Sequence, residues 1–185
     1  MDKLVSWLGL ALALVRVVSG GLLTWGSTFI ASEVHDQLAA QQIFFPSADS
    51  PAVAGAEFAG MRTFGGQQMT TGEQAGVYAN DFIANYLKGI CGGKTYAELS
   101  TASNADPSNT KLADQVQTVF RGETLRGLLL NPYAFGTMGT IAGIAAIGTF
   151  VAAAVMLLLA FLGLGHARGD DVVPPRTRAT TRVGR

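Results

Sequence analysis

Apolar positions fall into two long blocks near the ends of the chain and a helical rhythm between them. The first block, Leu4–Ala31, reads LVSWLGLALALVRVVSGGLLTWGSTFIA, with Arg16 as its one charge. The second runs Tyr133–Leu164, with the core IAGIAAIGTFVAAAVMLLLAFLGL at Ile141–Leu164. About 20 apolar residues cross the hydrocarbon of a bilayer, so each block predicts a membrane-spanning helix. Ala31–Gln42 has neither Gly nor Pro and predicts that the first helix continues to about Gln42. Ile43-Phe44-Phe45-Pro46 predicts extended chain, because a residue before proline avoids the helical region. Residues 47–69, rich in Gly, Ala, Ser and Pro, predict irregular structure.

Thr70-Thr-Gly-Glu73 matches a capping box, with Thr70 as cap and Glu73 as its reciprocal partner. Ala75, Tyr78, Phe82, Tyr86 and Ile90, joined by Ile83 and Leu87, then recur at helical spacing. They predict an amphipathic helix over 73–89, stopped by Gly89, Gly92 and Gly93. Thr95 and Glu98 frame a second capping box and a short helix over 96–102. NADPSN at 104–109 is a turn cluster. From Thr110 a helix with Leu112, Val116, Val119 and Phe120 on one face runs on into the second apolar block, with one ladder hydrogen bond removed at Pro132.

The expected fold is an all-α membrane protein. Two transmembrane helices extend outward as stalks, with a mostly helical extracytoplasmic segment between them. The divisions are 1–32 (N-terminal interfacial segment and first span), 33–129 (extracytoplasmic), 130–165 (second span) and 166–185 (disordered basic cytoplasmic tail). Few apolar side chains lie outside the helices of 33–129, so no independent core is expected there.

Composition agrees with a membrane location. Charged residues are 14% of the chain and mean hydropathy is +0.31, against about a quarter charged in soluble domains. The net charge of zero gives no pull toward nucleic acid. A cleaved signal peptide fits the first block poorly, because Arg16 lies beside the would-be cleavage site and the apolar run continues past it. Lys3, Arg16 and the tail arginines Arg168, Arg176, Arg178, Arg182 and Arg185 place both termini on the cytoplasmic side. The segment 33–129 has six basic and ten acidic residues. Arg16 is read as interfacial, its side chain reaching back toward the cytoplasmic headgroups.

Four features could have carried chemistry. GGKT at 92–95 resembles the end of a phosphate loop, but that loop needs glycine at position 88, where this chain has Lys88. No apolar strand precedes it, and the stretch faces a compartment without useful ATP. Helix caps explain it, and no nucleotide is expected. His35 and His166 lie on opposite sides of the bilayer on this topology and cannot share a metal. Asp81, Glu98 and Asp114 lack metal-ligand spacing. The single cysteine, Cys91, excludes a disulfide within the chain and a Cys-rich zinc site. No cofactor, metal or catalytic residue is expected. Finally, Gly139-Thr-Ile-Ala-Gly143 is a GxxxG pattern that lets helix backbones approach. The face holding Gly139 and Gly143 is expected to pack against the first span near Gly26, or against a partner.

QLAAQQIFFP (37–46), FAGMRTFGG (58–66), VYANDFIANYL (77–87) and above all GGKTYAEL (92–99) resemble a family of small two-span membrane proteins of high-GC Gram-positive bacteria. The similarity covers roughly 30–165. Members often carry the label "aromatic ring-opening dioxygenase". An iron enzyme of that kind needs two histidines and a carboxylate on one metal, which His35 and His166 cannot supply here. The resemblance implies the architecture and no catalytic residues. The expected role is non-enzymatic: an accessory or scaffold subunit that contacts membrane lipid and packs against itself or a larger membrane complex. The alternative is a lipid- or small-molecule-binding component of an envelope transport system, with helix 73–89, Phe44, Phe45 and Phe64 as its contact surface. An enzyme ranks third.

Overall fold

A computed structural model describes residues 2–170. It is helical almost throughout, with no strand among the described residues beyond one isolated bridge between Phe44 and Gln68. Two helices dominate, α1 (Asp2–Ala40) and α6 (Thr110–Asp170), and both are long and apolar enough to cross a membrane. Pro132 lies inside α6 without ending it. Residues 166–170 are helical, and the rest of the expected disordered tail lies outside the described residues.

The chain forms two compact units. Among the described residues, one joins those up to Thr24 with those from Ile144 to Asp170. Here α1 and α6 run antiparallel along a seam of small side chains. Ser6, Ala13 and Gly20 are buried on α1, and Ala146, Ala153 and Ala160 on α6. Each set recurs every seven residues, the repeat that keeps one stripe of a helix on its partner by slight left-handed supercoiling. The fit is close. A Cβ on Gly9 would touch Ala160 Cβ at 3.5 Å, and one on Gly20 would come within 2.9 Å of the Phe150 ring. Larger side chains point away, including Leu4, Trp7, Leu14, Ile147, Leu158 and Phe161. Arg16 is exposed at the rim of this seam, one turn from Ala13 and Gly20.

The other unit, Trp25–Gly143, has a core of its own. Leu38, Phe45, Val53, Met61, Met69, Ala75, Ala79 and Leu129 form one buried cluster. All eight lie within 33–129, so the expectation of no independent core is corrected. The extended segment before Pro46 supplies Phe45, the stretch 47–69 supplies Val53, Met61 and Met69, and the long helices close the cluster with Leu38 and Leu129. A second cluster joins Leu87, Leu99 and Val119.

The stretch 47–69 is more ordered than its composition predicts. Single turns at Pro51–Val53 and Ala56–Phe58 lead into α2 (Ala59–Thr63). Arg62 Nη1 donates to the carbonyls of Val53 at 2.6 Å and Gly55 at 2.8 Å, fastening the turns to α2. The chain end of α1 is pinned too. Gln68 Nε2 donates to Ala39 O, Met69 N to Ile43 O and Phe45 N to Gln67 O.

Next come α3 (Gly72–Val77), a π-helical stretch Tyr78–Ile83 and α4 (Ala84–Cys91) in one unbroken run. The capping box at its start is shifted by one residue from the sequence reading. Thr71, not Thr70, is the cap, and Gln74, not Glu73, answers it. TTGEQ satisfies the pattern in both frames. The frame found buries the neutral amide of Gln74, which accepts from Thr70 N and Thr71 N and donates to Gln67. The other frame would bury the Glu73 carboxylate at greater desolvation cost. The run continues through Gly89 to Cys91, two residues beyond the expected stop, and Gly92 closes it in the left-handed conformation at φ 60°. Last, α5 (Tyr96–Ala105) starts where expected, at Thr95.

Candidate functional site

Two places in the Trp25–Gly143 unit hold the residues singled out by sequence. The first is the meeting of α1 and α6 at Gly139 and Gly143. Ser27 Oγ donates to Gly139 O at 2.7 Å. A Cβ on Gly139 would stand 3.1 Å from Ile30 Cγ2, and one on Gly143 would stand 3.0 Å from Ser27 Oγ. The neighbours are therefore Ser27 and Ile30. Gly26, the expected partner, has open space around it. Ser27 and Gly139 continue the seven-residue spacing of small side chains noted above. That period was legible in the sequence, but the GxxxG pattern drew attention to a spacing of four.

The second place is built around GGKT. Gly92 and Gly93 both take positive φ, which ends α4 and turns the chain toward α5. Thr95 then opens α5: its hydroxyl oxygen accepts from Glu98 N at 3.3 Å and its hydroxyl donates to Glu98 Oε2 at 2.8 Å, while Thr95 N donates to Glu98 Oε2 at 2.7 Å. The hydrogen bonds from the Thr95 backbone and hydroxyl hold the Glu98 carboxyl below its ordinary range, and Lys94 adds to the effect.

Beside this turn lies a cleft of about 370 Å³. Leu87 and Val119, both buried, line its apolar part. Lys88, Lys94, Arg126 and Glu123 bring charge to it. Gly122 lets α6 approach, since a Cβ there would come within 2.5 Å of Leu87. Among the described residues Arg126 makes only long contacts, 3.4 Å from Nη1 to Glu123 Oε2 and 3.3 Å from Nη2 to Asn80 Oδ1, and its Nε is buried without an acceptor there. Cys91 also borders the cleft, with its thiol donating to Leu87 O. Sequence reasoning missed Lys88, Glu123 and Arg126 as neighbours. No motif links position 88 to position 126; only the packing of α4 on α6 joins them.

The aromatic residues proposed as a contact surface are mostly internal. Phe45 is buried and packs edge-on against Tyr78 and tilted against Phe64, with ring centroids 5.4 Å apart in each pair. Tyr78 and Phe82 continue the ladder, and burial raises the Tyr78 phenol above its usual value. Only Phe44 and Tyr86 present large exposed faces. His35 is exposed and contacts Asp36, 3.1 Å away. Among the described residues, no group of three or more His, Cys, Asp or Glu side chains could hold a metal ion. Comparison of the chain with protein-family models, with curated proteins and with solved structures finds no match.

Proposed function

We propose that the chain is a non-enzymatic integral membrane protein, an accessory or scaffold subunit that packs against a second copy or a larger membrane complex. On this reading α1 and α6 cross the cell membrane, both termini are cytoplasmic, and 33–129 forms an extracytoplasmic module. The observation that carries it is the surface of the two long helices. Only 17% of the most apolar window of each is buried. The seam between them consumes their small residues and leaves leucine, isoleucine, phenylalanine and tryptophan outward. In water such a surface would be very costly. Lipid or another helix must cover it. The compact module between the helices, closed by its own core, is suited to holding a fixed outward surface.

The test is purification from membranes in a mild detergent, with the mass of the protein–detergent particle measured by light scattering. A complex of two or more chains, or a stable larger assembly, agrees with the proposal. A monodisperse single chain, unchanged across detergents and in nanodiscs, refutes the scaffold role.

A further inference from the structure

We propose that the cleft between α4, the start of α5 and α6 binds a phosphate group carried on a small apolar body. This goes beyond the scaffold reading and does not depend on it. The cleft gathers Lys88, Lys94 and Arg126 against the carboxylate of Glu123. With the Glu98 carboxylate beside Lys94 counted as well, three cations stand against two carboxylates, and the remaining positive charge favours an anion such as a phosphate. Guanidinium and ammonium groups form charge-assisted hydrogen bonds with phosphate oxygens. Arg126 comes to the cleft with weakly held guanidinium nitrogens, whose two contacts are 3.3 Å or longer. The apolar part of the cleft, Leu87 and Val119, gives an acyl or alkyl group a surface to cover. A cleft of this volume suits a small ligand.

The mode is not that of a phosphate loop. There the backbone amides at a helix start cradle the phosphate. Here the start of α5 is engaged by Glu98, whose carboxylate takes Thr95 N and whose own N–H goes to Thr95. Side chains would do the binding. Two sources could deliver such a group, a soluble phosphate ester or a phospholipid headgroup.

The full chain in nanodiscs separates them, with Cys91 at the cleft as reporter. Alkylation of Cys91 by a small maleimide is timed in phosphatidylcholine discs, with and without hexyl phosphate, and in discs containing phosphatidic acid. Hexyl phosphate binding to the phosphatidylcholine discs is also titrated by calorimetry. Protection by hexyl phosphate assigns a soluble ester, and protection only in phosphatidic acid discs assigns a headgroup. Either effect should weaken roughly tenfold or more in Lys94→Gln and in Arg126→Gln, from the loss of a charge-assisted hydrogen bond. Lys111→Gln, whose cation lies outside the cleft, should leave it unchanged. Lys94 is exposed, so its variant keeps the test valid if Arg126→Gln fails to fold. Lack of protection in both kinds of disc together with a flat titration overturns the proposal, as does binding that Lys94→Gln leaves intact.

Discussion

Alanine in place of Gly72 sets helix propensity against packing, and packing should win. Gly72 is the first residue of α3, where it meets α6. A Cβ there would stand 2.5 Å from Pro132 O and 3.1 Å from Gly136 Cα. Both obstacles are backbone, so neither can swing aside as a side-chain tip would. Forcing a methyl into such a place costs about 1–3 kcal/mol. The opposing gain from replacing glycine by alanine in a helix is at most about 1 kcal/mol. The sum is a loss, with the upper part of the range expected because α3 must lift from α6. Gly89, in the same helical run, is the matched control. A Cβ there meets nothing within 4 Å, so Gly89→Ala should stabilise by about 0.5–1 kcal/mol. Thermal unfolding in detergent micelles, followed by circular dichroism, should move in opposite directions for the two variants. A shift of about 2–4 °C accompanies each kcal/mol in a chain of this size. If Gly72→Ala raised the midpoint as Gly89→Ala does, the close approach of α3 to α6 would be wrong.

Three further outcomes follow from named contacts. The carboxyl of Glu98 is held below its ordinary range in the folded chain, so the stability it adds is present above the unfolded carboxylate value and is lost as pH falls through the lower folded one. Glu98→Gln should remove that part of the acid sensitivity between about pH 5 and 3, measured by unfolding midpoints across that window; an unchanged profile would remove the capping box from the account. Arg62→Ala should cost about 1.5–3 kcal/mol by freeing the Val53 and Gly55 carbonyls, and limited proteolysis should then cut within 47–58; resistance equal to the native chain would refute the clamp. Gly143→Ile should weaken the α1–α6 contact at Ser27 by about 1–3 kcal/mol, while Val151→Ile, on an exposed face, should not. Disulfide trapping between cysteines at positions 30 and 139 would show it, and equal trapping in both variants would contradict it.

The long helices were legible because length and hydropathy alone specify them. The second capping box was legible because Thr95 and Glu98 act within one turn. The first was misplaced because TTGEQ reads in two frames, and the choice depends on Gln67 and on burial of Gln74, which no local pattern states. The core of 33–129 was missed for a related reason. Phe45, Met61 and Met69 lack periodicity, and their place in a core depends on Arg62 fastening the turns of the stretch to α2 and on Gln68 tying its end to Ala39 O at the end of α1. The π-helical stretch at Tyr78–Ile83 has the same spacing of aromatics as an ordinary helix, so sequence could not distinguish it. The cleft joins residues 38 positions apart, Lys88 and Arg126, through tertiary packing alone.

The central claim is that the two long helices cross a membrane with 33–129 outside. In a Cys91→Ser background, Ser108→Cys, at an exposed turn between α5 and α6, and Thr180→Cys, in the basic tail, should be tested in intact cells with a membrane-impermeant maleimide. The account predicts labelling of Ser108→Cys at once and of Thr180→Cys only after permeabilisation. The reverse pattern, or immediate labelling of both, would contradict it.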